Sequence, residues 1–418
     1  MQHSKQCEVS FEGRVTPTAA QNLVTNETGR IGLDRIVELA HRHLGLDLVY
    51  VAELTGERLL VRAVAGNTSL FNVKLHEGVP ADRTYSRLLV EGRIPNVLAD
   101  TSEDSRVAAL RATRELGIGA YIGVPLWLSD GSLYGTMCGV DQNPDPTLGE
   151  RDVRFMTMLA ELITYDLDEQ HRLGQLHRTI TELIENETID IAFQPIIDLR
   201  TNDCLGVEAL SRFPEPFGPP DRLFADADSV GLSFELERLA IREAWHALER
   251  LHPEQFLAFN VSPDALLELA RRAQLRTDLP LSQLVVEITE QTVIQCYSDL
   301  RRVVTPLRAQ GLRIAVDDAG AGYASLHHIV ELQPDFIKID RSLVHGVADD
   351  HARRVAVSAF VLLSLDLGAT IVAEGVERPS DRSALCDLGV HAAQGYLLGR
   401  PSTCDSDLNR LSRRLSSI

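Results

Sequence analysis

Hydrophobic spacing along this chain changes character near residue 188. Before it, helical and alternating stretches are mixed. Ile31, Ile36, Leu39 and Ala40 fall at helical spacing, which predicts a helix from Ile31 to Leu44. LVYVAEL (48–54) and RLLVRAVAG (58–66) read as strands joined by a turn containing Gly. ADRTYSRLLVEGR (81–93) and SRVAALRATRELG (105–117) read as helices, the second closed by Gly117. Ile122, Val124, Leu126 and Leu128 then alternate into the hairpin signal Asp130-Gly131. Gly135 and Gly139 in the return strand predict close backbone approach. A long helix follows over 147–167. Leu173, Leu176, Ile180 and Leu183 then repeat at 3-4-3 spacing within a connecting helix over 169–187. That seam suits either the chain's own domain or a second copy of the chain.

From residue 188 the pattern becomes short apolar runs separated by amphipathic helices. The runs span 191–197, 205–213, 256–262, 284–290, 313–319, 336–340, 370–377 and 391–398. Such alternation predicts an α/β barrel of parallel strands. Each run also carries a polar residue: Gln194, Glu208, Asn260, Glu287, Asp317 with Asp318, Lys338 with Asp340, Glu374 with Glu377, and Gln394. A charge on a buried strand is costly without a partner, so the set points to one functional face. Glu208, Glu287, Asp317, Asp318, Asp340, Glu374 and Glu377 bring carboxylates to that rim, against Lys338 and Arg212 as cations. Hard oxygen donors of this kind select Mg²⁺ or Mn²⁺. Adjacent aspartates can serve two ions, the usual device for phosphodiester hydrolysis.

Composition narrows the class. The chain has 418 residues, 44% hydrophobic and 24% charged, which predicts a globular protein of two domains. A net charge of −19 argues against polymeric nucleic acid as a partner. No apolar stretch approaches the ~20 residues of a membrane span, so membrane insertion is not expected. The first residues lack an apolar export core, and residues 1–20 are polar and expected to be mobile. Six scattered cysteines without a C-x-x-C pair suit reduced thiols, so a cytoplasmic location is expected.

The element order over 21–168, and above all IGVPLWLSDGSLYGTMCGVD, resembles a GAF domain. The resemblance implies an α+β sensory or dimerising module with an unknown small-molecule ligand. The motif of the cyclic-nucleotide-binding subgroup and the cysteine context for bilin attachment are not recognisable. His76, Asp100 and Cys138 could face a ligand, with ordinary fold roles the favoured reading. In the second half, FQPI, EALSR, NVS, EITE, DDAGAGYASL, KID, AEGVE and QGYLLGRP occur in order. Residues 188 to about 405, within a second domain taken as 188–418, therefore resemble an EAL domain, the cyclic di-GMP phosphodiesterase family. That implies a modified TIM (β/α)8 barrel whose first strand is antiparallel, replacing the all-parallel reading. It also implies hydrolysis of cyclic di-GMP to pGpG with two ions, GAF regulation and a homodimer. By resemblance, Glu208, Asn260, Glu287 and Asp317 hold one ion; Asp317 and Asp318 hold the second, with Asp340 close by. Lys338, Glu374 and Gln394 serve the attacking water. Gln194, Arg212 and Glu377 contact the substrate, and Glu290 holds the loop after Asp318. One position departs from the family. Ala319 stands where the family usually has Phe, which predicts either a looser loop or a neighbour that refills the space. The pair His327-His328 is expected at the surface.

Overall fold

Alternation in the first half folds into one antiparallel sheet. The structure, a computed structural model, describes residues 32–82, 84–271, 280–289, 294, 296–321 and 325–403. Residues 1–20, predicted to be mobile, lie outside that set. Contacts divide the chain into units that meet between Arg172 and Leu173.

In the first unit α1 (Leu33–Leu44) precedes β1 (Leu48–Thr55), β2 (Arg58–Gly66) and β3 (Gly78–Pro80). Next come α2 (Tyr85–Val90), β4 (Val97–Leu98), α3 (Ser105–Ala108), α4 (Arg111–Leu116), β5 (Ala120–Trp127) and β6 (Leu133–Asp141). The sheet order is β3-β2-β1-β6-β5-β4. Apolar residues of α1 (Ile36, Val37, Ala40) and of α5 (Glu150–Glu185; Met156, Leu159, Ile163) share one core with Val49, Val51 and Met137 of the sheet. Tyr85, Leu88, Val107, Tyr121 and Cys138 form a separate cluster. Gly135 is where backbones meet, since a Cβ there would lie 1.9 Å from Ala52 O.

Three helical expectations need correction. The helix expected over 81–93 is only α2, because the Thr84 hydroxyl caps it by accepting from Arg87 N. The helix expected over 105–117 is broken in two. Leu110 takes extended backbone and packs against the apolar cluster of Tyr85 and Tyr121. The long helix and the connecting helix are one element, α5. Its predicted seam is occupied within the second unit: Leu176, Ile180 and Leu183 pack with Leu223, Ala227, Leu236 and Leu239. Those residues belong to α6 (Pro220–Ser229) and α7 (Ser233–Trp245).

The second unit is a closed barrel. Its strands are β7 (Asp190–Asp198), β8 (Cys204–Arg212), β9 (Phe256–Asn260), β10 (Leu284–Thr289), β11 (Arg313–Ala319), β12 (Phe336–Ile339), β13 (Thr370–Ala373) and β14 (Ala392–Ala393). They close in the order β10-β11-β12-β13-β14-β7-β8-β9. β7 is antiparallel to both neighbours, and the other pairs are parallel. The intervening helices are α8 (Pro263–Arg271), α9 (Tyr297–Arg308), α10 (Ser325–Leu332), α11 (Arg341–Val344), α12 (His351–Leu367) and α13 (Pro379–Asp387). The last two apolar runs give shorter strands than their sequence suggested. Gly375 turns left-handed (φ 65°) just past β13, and Gly395 crosses it so closely that a Cβ would lie 2.2 Å from Val376 N. His328 is a second correction. It is buried, and its Nδ1 shares a 2.6 Å hydrogen bond with Tyr297 OH, while His327 is exposed.

Candidate functional site

A two-residue step builds the site. Ile196, Phe256, Ala258, Val285, Ala315, Phe336, Val372 and Ala392 form one buried apolar cluster across the barrel strands. Side chains two residues apart on a strand point the same way. Two positions beyond these residues stand Asn260, Glu287, Asp317, Lys338, Glu374 and Gln394. On antiparallel β7 the step runs backward, from Ile196 to Gln194. On β8 it runs from Gly206 to Glu208, and Gly206 is glycine because a Cβ would lie 2.4 Å from Phe256 O. Register then sets neighbours: Gln194 opposite Glu208, Glu287 opposite Asn260, and Thr289 opposite Asp317.

Lys338 is the centre of this polar layer. It is 1% exposed, and its Nζ lies 2.8 Å from Glu287 Oε2, 2.8 Å from Glu374 Oε1, 3.1 Å from Asp317 Oδ1 and 3.3 Å from Glu208 Oε2. Burial works against its ammonium, yet Asp317, Glu208, Glu287 and Glu374 together hold its pKa well above the usual lysine value. One ammonium does not balance its acids. Burial pushes Glu287 well up, with the Glu208 charge adding to it. Burial pushes Glu374 up too, with Asp317 adding. Glu208 goes the other way: against its burial, Lys338 and the Gln394 amide favour its charged form. Gln394 Nε2 donates to Glu208 Oε2 (2.7 Å) and to Gln194 Oε1 (2.9 Å), and Gln194 Nε2 donates to Gly399 O (3.0 Å). Asn260 Nδ2 donates to Glu208 Oε1 at 3.3 Å.

Asp318 stands beside this cluster in a left-handed backbone (φ 57°), a conformation that costs a non-glycine residue about 1–3 kcal/mol. Its carboxyl is pushed up to about 6, first by burial and then by the Asp317 charge.

The donor set fits divalent cations. Carboxylate oxygens of Glu208, Glu287 and Asp317 all lie within 4.8 Å of one another, and so do those of Asp317, Asp318 and Glu374. Asp317 belongs to both groups. The donors are oxygens, the acids outnumber the ammonium, and Gln394 Oε1 is a buried acceptor without a partner among the described residues. Beside them opens a cleft of about 560 Å³ lined by Arg212, Asn260, Asp317, Asp318, Phe224 and Glu237, among others.

Not every predicted residue joins this layer. Asp340 accepts from Ser342 N (2.9 Å) as the N-cap of α11 and falls outside both oxygen groups. Glu377 pairs with Arg341 at 3.0 Å. Arg212 lines the cleft and donates to its neighbour's carbonyl, Ser211 O. Glu290 lies outside the described residues. In the first unit, Asp100 accepts from Ser102 N, His76 is exposed, and Cys138 is buried within hydrogen-bonding reach of Tyr121, Ser86 and Thr136.

Glu237 was missed from sequence. It accepts from Ser262 N at 2.7 Å, and burial raises its pKa. The signal was present: Glu237, Ile241 and Ala244 share one face of α7 at helical spacing, an acid on an apolar stripe.

Comparisons with known proteins agree with this architecture. Residues 177–401 match the EAL domain family, and residues 32–167 match the GAF domain family. The bifunctional diguanylate cyclase/cyclic di-GMP phosphodiesterase MucR of Pseudomonas aeruginosa is 30% identical over 352 residues, 78% of this chain and 51% of that one. The probable cyclic di-GMP phosphodiesterase PdeN of Escherichia coli is 30% identical over 270 residues, 62% of this chain and 51% of that one. This chain thus spans about half the length of the curated relatives it matches. Among solved structures, the PaMucR phosphodiesterase in complex with c-di-GMP is 31% identical. The match covers 56% of this chain and 99% of that one, with a TM-score of 0.50.

Proposed function

The chain belongs to the EAL-domain family, and on that premise we propose that its barrel opens one phosphodiester of cyclic di-GMP to give linear pGpG. The reading includes two Mg²⁺ or Mn²⁺ ions, regulation by the GAF domain and a homodimer. The observation that carries it is the polar layer: acids from several strands converge on Lys338, beside a cleft that Arg212 also lines. The names of MucR and PdeN, and the ligand of the PaMucR complex, support the choice of substrate.

Glu208, Asn260, Glu287 and Asp317 would hold one ion, and Asp317 with Asp318 the other, with Asp340 behind them. Bound ions would neutralise phosphate charge and acidify a water. The chain's own residues do the rest. Lys338 keeps the carboxylates gathered. Gln394 offers its Oε1 as an acceptor that orients the water. Glu374, whose anionic form bound cations would favour, takes the proton as the water oxygen bonds to phosphorus; the bond from phosphorus to the ribose 3′ oxygen breaks, and that oxygen leaves with a proton from solvent. Arg212 binds a phosphate oxygen by charge-assisted hydrogen bonds. Gln194 and Glu377 contact the substrate, and Glu290 holds the loop after Asp318. Among the described residues, no helix is long and apolar enough to cross a membrane.

The test is incubation of the purified chain with cyclic di-GMP and Mg²⁺ or Mn²⁺, followed by chromatography. The expected product is pGpG from wild type and none from Glu208→Ala. Tight binding of cyclic di-GMP without any product would replace the hydrolase by a receptor. Light scattering checks the dimer.

A further inference from the structure

The second aspartate of the site sits on backbone that something else must hold. Asp318 (φ 57°) and Gly320 (φ 101°) are both left-handed, and Ala321 N–H closes the turn by donating to Asp318 O at 3.1 Å. Between them Ala319 is 0% exposed, and its carbonyl accepts from Asp340 N at 3.2 Å. The support beneath Gly320 comes from two helices further along the chain. A Cβ at Gly320 would lie 2.4 Å from Leu343 Cδ1 of α11 and 3.5 Å from Phe360 Cε2 of α12. Phe360 packs against both core clusters that meet there, one containing Ala319 and Val316, the other Ile339 and Val344. Ala319 itself offers a single side-chain carbon, so the apolar bulk under the turn is supplied by Leu343 of α11 and Phe360 of α12.

We propose that Phe360 is a positioning residue for Asp318: with Leu343 it seats Gly320, and so fixes the left-handed turn that presents the second aspartate beside Asp317. This rests on the metal-dependent reading above. It bears on the departure seen in the sequence, since Phe360 packs against the core cluster that contains the small Ala319. Residues that orient a metal ligand without touching the ion typically change its affinity 10–100-fold when removed.

The experiment uses the full chain as wild type, Phe360→Ala, Phe360→Leu and the double variant Ala319→Phe/Phe360→Ala. Calorimetric titration with Mn²⁺ is read beside kcat and KM for cyclic di-GMP and the melting temperature. In Phe360→Ala the weaker of two Mn²⁺ affinities should fall by about tenfold. kcat should fall with it while KM changes little. Phe360→Leu, which keeps apolar bulk, should recover most of the affinity, and the double variant should recover part of it by returning a ring to the same core cluster. Phe360→Ala that melts earlier yet binds both Mn²⁺ with wild-type affinity overturns the proposal and leaves Phe360 an ordinary core residue. If Phe360→Ala does not fold, Phe360→Leu decides by the same comparison. Wild type that binds two Mn²⁺ but leaves cyclic di-GMP intact sinks the functional reading alone. Wild type that binds fewer than two overturns both.

Discussion

Replacing Lys338 by Met removes the charge at the centre of the barrel and keeps most of its volume. The side chain is 2% exposed, with carboxylate oxygens at 2.8, 2.8, 3.1 and 3.3 Å from Nζ. Taking one partner from a buried ion cluster costs about 3–5 kcal/mol, because the charges left behind stay desolvated. The loss does not multiply with the number of acids, since burial already raises the pKa of Glu287 and Glu374, and removing the ammonium raises both further toward neutralisation. At roughly 2–4 °C per kcal/mol for a unit of this size, the melting temperature should fall by about 6–20 °C. Thermal unfolding followed by circular dichroism, with EDTA and at mildly alkaline pH, measures it. Mn²⁺ should recover part of the loss by bringing positive charge to the same oxygens. A shift below about 2 °C, under 1 kcal/mol on that scale, would falsify the picture of Lys338 as the ammonium that holds these carboxylates together.

Other outcomes follow from the same geometry. Glu237→Gln should melt later than wild type at neutral pH while the two converge in acid. A carboxyl whose folded pKa is raised binds more protons folded than unfolded, so wild type loses stability as pH rises from about 4.3 through the raised value. An equal difference at both pH values refutes that assignment. Gly206→Ala must move Phe256 O or its ring, at 2.4 and 2.6 Å, and should cost about 1–3 kcal/mol in denaturant titration. Leu183→Ala opens the contact of α5 with α6 and α7 and should cost about 2–5 kcal/mol, whereas exposed Leu162→Ser on the same helix should stay within about 0.5 kcal/mol.

Much of the site was legible because charge inside an apolar strand is rarely accidental. Glu287, Asp317 and Lys338 each interrupt a run that packing alone would keep apolar, and the barrel gathers all of them. Glu208, Glu287, Asp317, Asp318 and Glu374 meet, while Asp340 and Glu377 turn aside to a helix cap and to Arg341. Strand ends blurred that distinction, since Asp340 directly follows β12 just as Glu374 directly follows β13. The direction of β7 was invisible to hydrophobic pattern, because an apolar run reads alike both ways; it came from the family resemblance. The burial of His328 was also hidden, since only the structure places Tyr297 of α9 against it.

The reversed strand has a mechanical consequence. In a barrel whose first strand runs with the others, incoming chain enters at the end remote from the chemistry. Here α5 hands over to β7 at Asp190, which lies opposite Arg212, and the next residue, Ile191, lines the cleft. Whatever displaces the last turn of α5 therefore arrives first at the mouth of the cleft, beside the arginine proposed to grip phosphate, with no need to travel through the barrel wall.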